Sequence, residues 1–83
     1  MPEQKITVYG TDWCGDCFRT RQFLKNHAID YIFINIDQDK DGEQFVLKNN
    51  RGMRSVPTIL FEDGVILVEP SNRELAAKLG ITS

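Results

Sequence analysis

The alternation of apolar and polar positions divides the chain into four strand-type runs and three segments with helical spacing. In the first helical segment Phe18, Phe23 and Leu24 recur as one apolar face. The predicted order is β-α-β-α-β-β-α. The predicted strands cover residues 5–10, 31–36, 58–62 and 65–69, and the predicted helices cover residues 15–26, 41–50 and 71–80.

Local signals fix several of these boundaries. The run 31–36 is continuously apolar, which predicts a strand buried on both faces and joined to the first strand by a right-handed crossover. Asp41 is the predicted N-cap of the second helix. The dipeptide at residues 63–64, Asp-Gly, predicts a tight two-residue hairpin, and Ser71 with Glu74 predicts a capping box. The expected fold is α/β: a four-stranded mixed sheet with helices on both faces, in a single domain over residues 1–83.

Composition and charge exclude several classes of function. The 83 residues carry a formal net charge of −2, and lysine and arginine are scattered, so no basic field attracts nucleic acid. The first residues are short and polar, and no apolar run reaches the length of a membrane span. We therefore expect a cytoplasmic monomer that binds neither nucleic acid nor membrane.

The two cysteines lie where the first strand ends and the first helix begins, as Cys14-Gly-Asp-Cys17. At a helix N-terminus unpaired backbone N–H groups favour a thiolate over a thiol, whereas the negative neighbours Asp12 and Asp16 oppose it. This placement predicts Cys14 as nucleophile and Cys17 as the more covered, resolving thiol. The alternatives are a zinc site, for which His27 is the single histidine, or two unreactive core cysteines.

Trp13, directly before the first cysteine, is expected to form an apolar wall against docking partners; the alternative is a core residue.

Three motifs together resemble the glutaredoxin family within the thioredoxin superfamily. They are Trp-Cys-Gly-Asp-Cys at residues 13–17, Ser-Val-Pro at 55–57 and the Asp-Gly hairpin at 63–64, and the resemblance covers essentially the whole chain. It implies a cis-proline loop against the cysteine turn, in which the backbone of Val56 pairs with a bound thiol substrate. By the same resemblance, Pro57 keeps metals away from the thiolates.

Within the family the chain resembles mycoredoxins more closely, in its Trp-Cys-Gly-x-Cys turn at residues 13–17, its Arg-x-Val-Pro loop at 54–57 and its Pro-Ser entry to the last helix at 70–71. Glutathione-using glutaredoxins usually carry Gly-Gly before the last helix, where this chain has Pro70 and Ser71. They also usually carry a lysine where this chain has Thr11 and Asp12. These features predict that the start of the last helix contributes to the substrate site and that glutathione is not the preferred thiol.

The resemblance implies an enzyme that reduces mixed disulfides between proteins and a low-molecular-weight thiol, either mycothiol-like or glutathione, without a bound cofactor. Its partners would be oxidised or S-thiolated proteins and the small thiol. Arg51 and Arg54 are candidate contacts for an anionic part of the thiol. One alternative is a redoxin recharged by a flavoprotein reductase. Another is an iron–sulfur-binding glutaredoxin, which Pro57 and the second cysteine argue against.

Overall fold

The structure is a computed structural model that describes residues 6–81. Its strands are β1 (Thr7–Gly10), β2 (Ile32–Asn35), β3 (Thr58–Leu60) and β4 (Ile66–Val68), and its helices are α1 (Gly15–Asn26), α2 (Lys40–Asn49) and α3 (Asn72–Leu79). The predicted element order is confirmed, with shorter strands than the sequence pattern indicated; the predicted first residue of β1, at position 5, lies outside the described part of the chain. Within residues 6–81 no helix has the length and apolar character needed to cross a membrane.

The sheet is mixed, with the strand order β2-β1-β3-β4. β1 pairs in parallel with β2, so that Val8 lies opposite Phe33, and antiparallel with β3, so that Val8 lies opposite Ile59. β3 and β4 form the antiparallel hairpin. The turn that carries the cysteines therefore follows a central strand of the sheet.

Helices cover both faces of the sheet because side chains alternate along each strand. On one face Val8 and Ile59 pack into the main core with Leu24 of α1 and Leu75 of α3. On the other face the ring of Tyr9 stacks on Phe45 of α2, with 4.5 Å between ring centroids. The predicted α/β architecture is confirmed.

β2 is an edge strand, which corrects the prediction that it is buried on both faces. Ile32 is 55% exposed. The crossover places β2 beside β1, and the β3-β4 hairpin extends the sheet on the opposite side of β1, so β2 has no outer neighbour in the four-stranded sheet. The apolar residues of β2 still contribute to packing. Phe33 packs against the main core, and the Arg21 guanidinium lies 3.9 Å from the centroid of its ring.

The N-cap of α2 is Asp39 and not Asp41, which lies in the first turn of the helix. The Asp39 carboxylate accepts a hydrogen bond from the Gly42 N–H at 2.7 Å. Asp39 is the cap because its carboxylate reaches the N–H three residues along the chain, the usual N-cap hydrogen bond. Gly42 is also buried against β2, where a Cβ atom would lie 2.7 Å from Cγ2 of Ile34.

The hairpin is confirmed, but its loop is one residue longer than predicted. The N–H of Phe61 donates to the carbonyl of Val65, and the N–H of Gly64 donates back to the carbonyl of Phe61, both at 2.9 Å. Gly64 takes the left-handed conformation (φ 89°) that closes a loop of three residues. In α3 the capping box between Ser71 and Glu74 forms as predicted.

Candidate active site

Cys14 is the N-cap residue of α1. Its backbone is extended (φ −88°, ψ 119°), and its Sγ accepts a hydrogen bond from the backbone N–H of Cys17 at 3.3 Å. A sulfur atom thus takes the position that serine or aspartate oxygens usually occupy at the start of a helix. Because the orphan N–H groups and the macrodipole favour negative charge there, the site is suited to an anionic sulfur.

Cys17 is fully buried, whereas Cys14 is partly exposed, and both thiols are free. Burial raises the pKa of Cys17 to about 12, although a hydrogen bond from the Thr11 backbone acts in the opposite direction. The sulfur of Cys17 lies against the backbone of Gly10, where a Cβ atom would be only 2.6 Å from it. The two thiols therefore differ in access to solvent.

The loop before β3 lies directly beside Cys14. The Val56–Pro57 peptide bond is cis, as the family resemblance implied. The Cys14 thiol donates to the carbonyl oxygen of Val56, with 3.8 Å between sulfur and oxygen. Pro57 is buried, and its carbonyl accepts from the N–H of Glu69 at 2.8 Å, which ties the loop to the end of β4. The pairing of Val56 with a substrate and the metal-excluding role of Pro57 stay predictions.

Four side chains joined by hydrogen bonds connect the cysteine turn with the loop before β3. The indole N–H of Trp13 donates to Oδ2 of Asp37 at 2.9 Å, and Nη2 of Arg54 donates to Oδ1 of the same carboxylate at 2.5 Å. Nε of Arg54 donates to Oε2 of Glu43 at 2.9 Å. The Arg54 guanidinium, followed by the Trp13 indole, lowers the pKa of Asp37 below its ordinary value.

The start of α3 is attached to α1 through Arg19. Its guanidinium donates to Oδ1 of Asn72 at 2.7 Å and to the carbonyl of Pro70 at 3.2 Å. Pro70 is buried, the Ser71 hydroxyl accepts from the N–H of Glu74 at 3.1 Å, and the Ser71 N–H donates to the Glu74 carboxylate at 2.8 Å. The backbone N–H of Ser71, at the N-cap of α3, is therefore already bonded to a side chain of the same helix.

Residues 6–66 match the family model described as Glutaredoxin. The chain belongs to the glutaredoxin family. Members of this family are thiol–disulfide oxidoreductases.

Relatives of this glutaredoxin resemble it over most of their length. A glutaredoxin-type protein of Mycobacterium tuberculosis is 40% identical over 74 residues, which are 89% of this chain and 88% of that protein. Mycoredoxin 1 of Corynebacterium glutamicum is 37% identical over 75 residues, 89% of this chain and 91% of that protein. The crystal structure of a glutaredoxin from Archaeoglobus fulgidus has a TM-score of 0.71 at 26% identity, and the match covers 89% of this chain and 84% of that one.

The glutaredoxin fold brings most of the sequence-predicted site residues together. The Val56 carbonyl lies beside the partly exposed sulfur of Cys14. Trp13, the residue before Cys14, is 70% exposed, so it is not a core residue, and its role as a wall stays a prediction. Arg54, expected as a contact for a substrate anion, is instead paired with two carboxylates of the chain itself. Arg51 is exposed, with a left-handed φ of 56°, in the loop after α2, and its anion-binding role stays a prediction.

Several functional contacts were not predicted from the sequence. Phe18, assigned to the apolar face of α1, is 65% exposed, and so is Met53 in the loop before β3, so these side chains add to the accessible apolar surface. Gly10 could have been found as the glycine that ends a strand next to a Cys-x-x-Cys motif. Arg19 and Asp37 act through tertiary contacts for which the sequence carries no local signal.

No group of three or more histidine, cysteine, aspartate and glutamate side chains placed to hold a metal ion occurs within residues 6–81.

Proposed function

We propose that this glutaredoxin reduces mixed disulfides between proteins and a low-molecular-weight thiol, with Cys14 as the nucleophile. The observation that carries the proposal is the inequality of the two thiols. Cys14 is accessible at the N-terminus of α1, whereas Cys17 is buried and has a pKa raised to about 12. Because only the thiolate attacks a disulfide, the first step belongs to Cys14.

In the first step the Cys14 thiolate attacks the sulfur of the small thiol in the mixed disulfide. A bond forms between Cys14 and the small thiol, the original disulfide breaks, and the protein leaves as a thiolate that takes up a proton. The N–H of Cys17 and the N-terminal dipole of α1 stabilise the anionic sulfur before attack.

Two routes regenerate Cys14. In the first, a second small thiolate attacks the bound small thiol, which releases the symmetric small-molecule disulfide and the Cys14 thiolate. In the second, Cys17 loses its proton and attacks Cys14, which releases the small thiol and leaves a Cys14–Cys17 disulfide that needs two electrons from a reductase. The high pKa of Cys17 favours the first route. Electrons come from the small thiol in that route, so the reaction needs no bound cofactor.

The co-substrate we propose is a thiol other than glutathione, such as mycothiol. Pro70 has no N–H to offer at the start of α3, and the next N–H, that of Ser71, is already bonded to the Glu74 carboxylate. At Pro70 and Ser71 a carboxylate of glutathione therefore finds no free backbone N–H. One charge-assisted hydrogen bond is worth about 1.5 to 3 kcal/mol, so its loss lowers affinity roughly ten- to a hundredfold.

Protein partners would dock on the apolar surface around the thiol, formed by the side chains of Trp13, Phe18 and Met53. Each is at least 65% exposed; Trp13 and Phe18 flank the two cysteines in sequence, and Met53 lies in the loop that leads to Val56.

The test compares kcat/KM for one S-thiolated protein loaded either with mycothiol or with glutathione, each assayed with its own thiol as reductant. We expect mycothiol to give the higher value by at least about tenfold. Equal or better use of glutathione would reassign the protein as a glutathione-dependent glutaredoxin. A lack of turnover with both thiols, together with rapid turnover when a flavoprotein reductase is supplied, would favour the reductase-linked redoxin.

A further inference from the structure

Asp37 contacts both segments that lie beside Cys14, the cysteine turn and the loop before β3. One carboxylate oxygen accepts from Trp13, the residue before the nucleophile, and the other accepts from Arg54, two residues before Val56. The same two segments meet at the Cys14 sulfur, which contacts the Val56 carbonyl. Asp37 therefore sets the charge between Trp13 and Arg54, which belong to the two segments beside the sulfur.

Arg54 would be an anion-binding residue if it were unpaired. Its side chain is 39% exposed, so solvent and a small ligand reach it, but its guanidinium is bonded to Asp37 and to Glu43. One positive charge is thus surrounded by two negative charges. An incoming carboxylate would have to displace an internal one and would meet net repulsion.

We propose that Asp37 is a specificity-determining residue, which excludes carboxylate-bearing thiols from this part of the site by occupying Arg54 and so favours uncharged co-substrates. The inference rests on the proposed function and extends it, because Pro70 and the bonded Ser71 N–H act at the start of α3, whereas Asp37 acts at Arg54. The class of thiol selected is one that carries no carboxylate, with hydroxyl groups or other uncharged polar groups in its place.

The experiment uses the Asp37→Asn variant, which keeps an oxygen acceptor for the Trp13 indole and removes the charge. The probes are mixed disulfides of one cysteine peptide with glutathione and with glutathione diethyl ester, which differ in the two carboxylates. The measured quantity is the ratio of kcat/KM for the ester to that for the acid. We expect Asp37→Asn to lower this ratio about fivefold, the upper range for a half-exposed ion pair.

Two matched variants separate the role of Arg54 from a general change in charge. Asp30→Asn removes the same charge at the opposite end of α1 and should leave the ratio unchanged. Adding Arg54→Gln to Asp37→Asn should restore the wild-type ratio, because the cation that would receive the carboxylate is gone. An unchanged ratio in Asp37→Asn, or the same change in Asp30→Asn, would overturn the proposal.

A second measurement keeps this inference separate from the proposed function. Alkylation rates of Cys14 by iodoacetamide and by iodoacetate compare a neutral with an anionic reagent of nearly the same size and require no enzymatic turnover. Asp37→Asn should raise the iodoacetate rate relative to the iodoacetamide rate, and Arg54→Gln should cancel the gain. If mixed disulfides are not reduced but this pattern holds, the proposed function fails and the assignment of Asp37 stands; if the pattern is absent, the assignment fails.

Discussion

The sulfur of Cys17 occupies the space that a side chain on Gly10 would need: a Cβ atom at Gly10 would lie 2.6 Å from that sulfur and 3.1 Å from the ring of Phe33. Cys17 is completely buried. The position of its sulfur therefore depends on Gly10, the glycine that ends β1.

Replacing Gly10 by alanine should destabilise the protein, because overpacking a buried contact costs about 1 to 3 kcal/mol. Denaturant unfolding followed by circular dichroism measures this change. Gly15→Ala is the matched control, since nothing lies within 4 Å of a Cβ atom at Gly15. In a Cys17→Ala background the cost of Gly10→Ala should shrink, and an equal cost in both backgrounds would contradict the assigned contact.

The two cysteines should respond differently to substitution. Cys14→Ser should abolish turnover of a mixed disulfide, because it removes the accessible sulfur at the N-terminus of α1. Cys17→Ser should keep substantial activity, because the small thiol regenerates Cys14 directly. Steady-state assays with one S-thiolated protein make the comparison, and complete loss of activity in both variants would instead indicate an obligate dithiol cycle.

The buried thiol should make stability depend on pH in the alkaline range. Because the pKa of Cys17 rises from 9.0 to about 12 on folding, the folded state holds this proton more tightly than the unfolded state. The resulting stability is fully present below about pH 9 and is lost as the pH rises towards 12. The free energy of unfolding at pH 8 and pH 10.5 should therefore fall more in the wild type than in Cys17→Ser. Parallel changes in the two proteins would show that Cys17 ionises as readily when folded as when unfolded.

Trp13 should report the protonation of Asp37, since it is the single tryptophan of the chain and its indole bonds to that carboxylate. The pKa of Asp37 is lowered from 3.8, first by Arg54 and then by Trp13, so the contact should persist below that pH and be lost as the pH falls further. Tryptophan fluorescence titrated with acid should show a transition centred below 3.8, with far-ultraviolet circular dichroism as a check on folding. The transition should be missing in Asp37→Asn, and a midpoint at or above 3.8 would contradict the pairing.

Features set by short stretches of sequence were predictable. The cysteine turn at residues 13–17, the capping box at Ser71 and the hairpin at 63–64 each depend on residues within one turn or loop, and the structure contains all three. The start of α2 was misplaced by two residues, because aspartate is a good N-cap residue at both positions 39 and 41 and the bond to the Gly42 N–H forms at Asp39.

Features set by the assembly of the sheet were not predictable from one sequence. A continuously apolar run fits a central strand and a well-covered edge strand equally, so the exposure of Ile32 could not be foreseen. Phe18 matched the spacing of the apolar face of α1, but its side chain lies outside the core and is 65% exposed. The pairing of Arg54 with Asp37, which are 17 residues apart, exists only once the loop before β3 has docked.

Arg19 attaches α3 to α1, so the candidate active site is assembled from an early and a late part of the sequence. Both cysteines lie within residues 13–17, whereas the residues proposed to choose the thiol, Asp37, Arg54 and Pro70, all come later in the chain. Substitutions at these later positions can change the preferred co-substrate in evolution while the cysteine turn and α1 stay unaltered. Redox competence and thiol preference can therefore diverge independently among descendants of one ancestral gene.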